Sequence, residues 1–200
     1  VACEECMSFR VKDSAFEGNV AARGGALYLR DPPTDSSIQA TRFENNTAER
    51  GGGGAIYHTG PTFPRIDSSS VFLENTALYG DDCATEPVKA LVRLGNASGI
   101  NTQPVLSVSN DQTIHAPNII VSVLDRFGVV VKDDASPVKV VANSSNASHA
   151  PLSSEDLNLQ KFVLSSSGDA TFNTLILRAH PGEYVLSFTA QMSRVEFSDT

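Results

Sequence analysis

The feature that most constrains this 200-residue chain is a segment that returns three times in phase. It reads Phe-x-x-Asn-x-Ala followed by a glycine turn: Phe16, Asn19 and Ala21 with Gly24 and Gly25; Phe43, Asn46 and Ala48 with Gly53 and Gly54; Phe72, Asn75 and Ala77 with Gly80. The phenylalanines stand 27 and then 29 residues apart. A unit of that length cannot bury its own apolar face, so it must stack on a neighbour that presents the same residues at the same height. Stacking like on like predicts an internal aromatic column of Phe16, Phe43 and Phe72, and an amide ladder of Asn19, Asn46 and Asn75 at a turn. The glycines supply positive φ and close passage between rungs. Short β-prone runs follow them, Ala26 to Leu29 and Ala55 to Tyr57, and helical apolar spacing is not sustained. Residues 1–95 are therefore expected to form a parallel β-helix of about three rungs, with Asp31 to Asp35 and His58 to Pro61 bulging out as turns. An antiparallel meander would instead place strands about every 8–12 residues.

The pattern changes near Leu94 to Gly99, and residues 96–103 read as a linker. Beyond it, alternating apolar runs separated by Gly, Asp and Pro turns predict an antiparallel β-sandwich over residues 104–200. These runs include Ile119, Val121 and Val123, then Val138 to Val141, Lys161 to Leu164, Ala170 to Phe172, Leu175 to Leu177 and Tyr184 to Ala190. Tyr184 reads either as a corner tyrosine that bonds the chain upstream or as an inward aromatic on an alternating strand. Leu186 holds the place of the usual second cysteine, so such an immunoglobulin-like module would be disulfide-free and held by apolar burial.

The pairing of Gly-Gly-Ala-(Leu/Ile) with Phe-x-x-Asn, over roughly residues 8 to 90, resembles the repeats of the chlamydial polymorphic outer membrane proteins and of large extracellular right-handed β-helix proteins of algae and other protists. Gly80 to Thr85 departs from the pattern and is similar to the closing rung of the protist type. The second half, through Asp125-x-x-Gly128 and Pro181-Gly182-x-Tyr184, resembles the bacterial-invasin and filamin-like immunoglobulin modules. The resemblance implies an all-β, right-handed parallel β-helix leading into an immunoglobulin-like sandwich, in a cell-surface structural or adhesive protein. No catalytic residues carry over.

Composition agrees with an extracellular or cell-surface setting. The formal charge is −8, only 19% of residues are charged, and no Lys/Arg run exists, which speaks against a nucleic-acid partner. No apolar stretch reaches about 18 residues, so no membrane span is expected in this segment. Absence of an initiator methionine or signal pattern, together with a strand-like end at Arg194 to Thr200, suggests an internal piece of a longer secreted chain. Its partners would be the rest of that chain and an unidentified surface protein or carbohydrate. Asn-x-Ser/Thr acceptors stand at Asn45, Asn96, Asn143 and Asn146, the last two in a polar run that reads as an exposed loop. Cys3 and Cys6 suit a structural disulfide, while Cys83 aligns with Leu27 and Ile56 and is either buried or bonded outside this segment.

Parallel β-helices also include pectin-lyase-like enzymes, so a polysaccharide-binding or polysaccharide-cleaving protein with its active rungs elsewhere is the competing expectation. Asp81 and Asp82 are adjacent acids at the end of the last repeat, and neighbours on a strand point to opposite faces. They read as turn residues closing the solenoid. Arg23 and Arg50 recur with the repeat and read as solvated edge residues, while Asp133, Asp134, Glu155 and Asp156 read as second-domain loop acids without a calcium-binding spacing. His58, His115, His149 and His180 appear scattered among loops, with no hydrolase, metalloprotease or phosphate-loop motif beside them. No metal or cofactor is expected.

Overall fold

A computed structural model describes residues 1–4, 7–94, 105–108, 113–115, 119–144, 162–163, 167–172, 176–178 and 182–190. Every regular element among the described residues is a β-strand. The first coil holds β1 (Ala2–Glu4), β2 (Arg10–Lys12), β3 (Ala15–Glu17) and β4 (Val20–Ala21). The second holds β5 (Leu27–Arg30), β6 (Ser37–Gln39), β7 (Arg42–Glu44) and β8 (Thr47–Ala48), and the third β9 (Ile56–Thr59), β10 (Arg65–Ile66) and β11 (Val71–Leu73). A closing strand, β12 (Cys83–Thr85), follows.

Equivalent strands pair in parallel across coils, giving sheets β1-β5-β9-β12, β2-β6-β10, β3-β7-β11 and β4-β8. This is a parallel β-solenoid of about three turns. In the third coil the short fourth sheet continues only as a bridge from Thr47 to Thr76. Strand alternation puts Leu27 and Leu29 wholly inside, while Tyr28 and Arg30 face out. Register then stacks Leu27 on Ile56 and Ile56 on Cys83, and Val11 on Ile38 and Ile38 on Ile66. These columns, with Phe9 and Phe43, make up the solenoid core.

The glycine pairs have a geometric reason. Gly53 adopts φ 72°, a left-handed conformation that a side chain resists. A Cβ on the following Gly54 would lie 2.2 Å from the Asp81 carbonyl oxygen and 2.6 Å from the Thr76 nitrogen, both in the next coil. The second glycine is thus required where another coil passes beneath. In the last copy that position is Asp81, a side chain the turn admits because no further rung lies against it among the described residues.

The chain forms two compact units, Val1–Val88 with Leu124–Asp133, and Lys89–Val123 with Asp134–Thr200. The segment 96–103, read as a linker, lies outside the described residues. The second unit contains β13 (Lys89–Leu94), β14 (Val105–Val108), β15 (Thr113–His115), β16 (Ile119–Leu124), β17 (Pro137–Ser144), β18 (Phe162–Val163), β19 (Asp169–Phe172), β20 (Ile176–Arg178) and β21 (Gly182–Ala190). They form sheets β13-β16-β19, β14-β21-β17-β18 and β15-β20, with antiparallel pairing in β16/β19, β17/β21, β14/β21, β17/β18 and β15/β20. Ile119, Val121 and Val123 are fully buried, and so is Ser122, whose hydroxyl bonds Asp169 and accepts from Arg93. That polar group is satisfied by charged partners one strand to either side, which removes the penalty of burying it. Phe172 of β19 meets Phe188 of β21 edge to face at 5.3 Å, joining the two larger sheets. Tyr184 and Leu186 are buried.

Candidate functional site

The repeat residues build two columns through the solenoid. Phe16 lies on Phe43 at 5.1 Å between ring centroids and 4° between planes, and Phe43 lies on Phe72 at 4.9 Å and 8°. Phe43 has no exposed surface, while the two end rings are partly buried. Beside them runs the amide ladder. Asn19 Nδ2 donates to Asn46 Oδ1 at 2.8 Å, and Asn46 Nδ2 donates to Asn75 Oδ1 at 2.9 Å. Each acceptor oxygen also receives the backbone N–H of the asparagine in the preceding coil, at 3.1 Å in both rungs. The second amide hydrogen of Asn46 goes to the Phe16 carbonyl and that of Asn75 to the Phe43 carbonyl. The residue before each asparagine (Gly18, Asn45, Glu74) holds positive φ and turns the chain so that the amide points inward.

The ladder has a direction, and its lower end is closed. Asn75 Nδ2 also donates to Asp82 Oδ1 at 3.1 Å, while Asp81 Oδ1 accepts the Ala77 N–H at 3.1 Å. The two adjacent acids therefore serve separate structural bonds and do not converge on one point. Departure from the second glycine is the sequence signal for this capping role.

The outer face of the β1-β5-β9-β12 sheet carries a polar cluster that no motif in the sequence marks. Arg23 sits over the Tyr57 ring with its guanidinium carbon 5.4 Å from the centroid and pairs with Asp133 at 2.5 Å. Arg23 is thus largely covered instead of solvated, whereas Arg50 is exposed. Burial alone would lower the Arg23 pKa, but the Tyr57 phenol and the Asp133 carboxylate outweigh it and hold it above its ordinary value. Burial pushes the Tyr57 phenol up to about 12, and the Tyr79 phenol upward as well.

Asp133 arrives on the segment 124–133, whose turn docks on the closing strand. Asp125, fully buried, accepts the Val129 N–H at 2.9 Å through one oxygen and the Thr85 N–H at 3.3 Å through the other. The Arg126 N–H donates to Thr85 Oγ1 at 3.0 Å, and the Arg126 side chain bonds the Pro61 carbonyl. The Asp-x-x-Gly turn, read from sequence as part of the second module, belongs to the solenoid unit because its polar groups are satisfied there. Neighbouring Asp134 folds back on Ser136, accepting its N–H and hydroxyl.

His58 and His115 lie in strands β9 and β15, not in loops. His58 shares the inward column of Leu29 and Thr85, is 1% exposed, and meets Phe63 edge to face at 5.2 Å, which in turn meets Phe127 at 5.3 Å. Among the described residues neither of its ring nitrogens makes a well-formed hydrogen bond. Burial lowers its pKa and Arg126 adds to that, against the Thr62 backbone, Glu86 and Asp31. Cys83 is free and stacked beneath Ile56. Burial, with Asp82 adding to it, pushes its thiol up to about 12, so it stays protonated at neutral pH. Cys3 is disulfide-bonded, and Cys6 lies outside the described residues.

Of the glycosylation acceptors, Asn45 is exposed at a left-handed turn of φ 53°, the backbone of Asn143 pairs with Val185 inside β17 and not in a loop, and Asn96 and Asn146 lie outside the described residues. His149, His180, Glu155 and Asp156 lie outside them too. Among the described residues no group of three or more His, Cys, Asp or Glu is placed to hold a metal ion, and no helix is long and apolar enough to cross a membrane.

Residues 40–59 match the model of the Chlamydia polymorphic membrane protein repeat. That stretch spans β7 and β8, the Gly53–Gly54 pair and β9, so the likeness covers less than one full coil of the solenoid. No curated protein and no solved structure matches the chain.

Proposed function

We infer that this chain is a non-catalytic scaffold of a cell surface or extracellular layer, in which a stiff stack of coils presents its turns to a partner. The observation that carries this reading is the unbroken column of identical residues, aromatic on aromatic and amide on amide. It uses the residues that recur from coil to coil for internal support and leaves the differing residues to the turns. The likeness of residues 40–59 to the repeat of the Chlamydia polymorphic membrane proteins supports a membrane-associated surface setting. An adhesive role is assigned to outward turns such as Asp31 to Asp35, which leave the strand columns without disturbing them. The second unit is read as an immunoglobulin-like spacer, on its antiparallel sheets joined through Phe172 and Phe188 and on buried Tyr184 and Leu186.

Antibodies against the purified chain test the setting: they should label intact, unpermeabilised source cells. Labelling only after permeabilisation refutes it. For the mechanism, the native protein should bind cell surfaces without consuming acidic polysaccharides in the presence or absence of calcium. Calcium-dependent depolymerisation that disappears when acids of one rung are substituted would replace the scaffold reading with a lyase.

A further inference from the structure

We propose that the turn over residues 125–129 is an acid-released clasp on the closing strand β12, and that protonation of His58 beneath it is what opens it. The turn is a self-contained piece. The Asp125 N–H donates to the Val129 carbonyl and the Val129 N–H to Asp125 Oδ1, both at 2.9 Å, and the Gly128 N–H donates to the Asp125 carbonyl at 3.1 Å. Leu124 bridges Val130 at its root. A separate set of contacts holds it to the coils. The Thr85 N–H donates to Asp125 Oδ2, the Arg126 N–H to Thr85 Oγ1 and the Arg126 guanidinium to the Pro61 carbonyl, while Phe127 lies edge to face with Phe63. The turn can therefore lift as a unit, giving up those contacts while keeping its own bonds, which makes it a two-state element.

The anchor of the clasp and the histidine are one rung apart. Thr85 takes part in two of the three anchoring hydrogen bonds, and the parallel register sets it directly against His58. The imidazole is covered by Phe63, which Phe127 backs from the turn. At 1% exposure, and with no well-formed hydrogen bond at either nitrogen among the described residues, the site suits a neutral ring and offers an imidazolium neither water nor a placed acceptor. The charged groups acting on the ring come from three segments. Arg126 of the turn opposes a second positive charge, whereas Glu86 after β12 and Asp31 after β5 favour one. Glu86 Oε1 is already engaged by the Gly60 N–H at 2.9 Å. Burial is the largest influence, and with Arg126 it holds the ring below its ordinary pKa. Lifting the turn removes Arg126 and admits water, which returns the ring toward its ordinary value of about 6.5. The lifted form therefore takes up a proton first. The clasp is fully closed above about pH 6.5, and the ratio of lifted to closed rises as pH falls toward the closed-state pKa, by at most about tenfold per pH unit. Ordinary carboxylates titrate near pH 4, so opening between about pH 5 and 6.5 separates the histidine from them.

Amide hydrogen exchange of the full chain, read residue by residue by NMR at about pH 7.5 and about pH 5 and corrected for the intrinsic pH dependence of exchange, tests this. The Thr85 and Arg126 amides should lose about tenfold in protection at the lower pH, while the Asn46 amide, held in the ladder, keeps its value. In His58→Leu, which matches Leu29 in the column, the Thr85 and Arg126 amides should differ by less than about twofold between the two conditions. The His58 ring resonance of the unaltered protein gives a readout that does not depend on the variant folding, and its midpoint should coincide with the loss of protection. Loss of protection in His58→Leu as large as in the unaltered protein overturns the proposal. So does full protection of Thr85 and Arg126 at about pH 5, a ring midpoint apart from the opening, or a loss that spreads to Asn46.

Discussion

Replacing Phe43 with alanine is the sharpest test of the solenoid core. The ring has no exposed surface and is stacked on both faces, at 5.1 Å by Phe16 and at 4.9 Å by Phe72. Truncating a buried phenylalanine costs about 3–5 kcal/mol through lost transfer energy and an incompletely collapsed cavity. Here the two neighbouring coils are tied by strand hydrogen bonds at fixed spacing, so they cannot close the gap, which places the expected loss near the top, about 4–5 kcal/mol. Phe16 and Phe72 each keep a partly exposed ring and have one aromatic neighbour, so the same change there should cost roughly half as much, about 2 kcal/mol. The assay is denaturant unfolding followed by far-ultraviolet circular dichroism, because the chain has no tryptophan. A Phe43→Ala loss below about 1 kcal/mol, or one no larger than those at Phe16 and Phe72, would refute the column as the centre of the core.

Asn46→Ala should cost about 2–4 kcal/mol because it removes the buried amide that bonds Asn75 Oδ1, the Phe16 carbonyl and Asn19 Nδ2, leaving Asn75 Oδ1 with the backbone N–H alone, whereas Asn19→Ala should cost under about 1 kcal/mol; the same unfolding curves check both. His58 is held below its ordinary pKa by burial, so the unfolded chain takes up a proton first as pH falls. Its contribution to stability should be complete above about pH 6.5 and be lost as pH falls from there toward the folded-state pKa, with a slope of at most about 1.4 kcal/mol per pH unit. His58→Leu, matching Leu29 in the column, should remove that part of the slope, and identical slopes in the two proteins would exclude His58 as its source. Iodoacetamide at pH 8 should modify Cys83 far more slowly in the folded than in the denatured protein, since a thiol at about 12 is almost wholly protonated; equal rates by mass spectrometry would place it at the surface. Asp133→Asn should weaken the hold on Arg23 and speed exchange of amides 124–133 by several fold, with the rungs unchanged.

Parallel stacking was legible because a stack is written into sequence by simple recurrence. When Phe-x-x-Asn and the glycine pair return in phase, the only way to bury each short unit is against its own likeness. The closing of the solenoid left a trace as well, in Asp81 standing where a second glycine would be, because the glycine is needed only beneath a passing coil. The second half was legible as alternating strands whose runs near 119–123, 138–141, 170–172 and 184–190 coincide with β16, β17, β19 and β21. Local patterning goes no further there, since alternation reveals which face is buried but not which sheet lies against it.

Other features depend on partners far apart in the chain. Arg23 looked like a solvated repeat residue, yet it is held by Asp133, 110 residues away. Asp125 and Arg126 looked like turn residues of the second module, but their hydrogen-bond partners Thr85 and Pro61 belong to the solenoid. His58 looked like a loop residue because it opens a Gly-Pro stretch, while the parallel register with Leu29 draws it inward. The amino-acid sequence by itself determined the repeat length, the parallel coils and the residues that recur in them, because those follow from periodic burial. Only the tertiary structure decided the direction of the amide ladder, the acid that ends it and the segment that covers the closing strand, because each is a choice among polar partners that are close in space and unrelated in sequence.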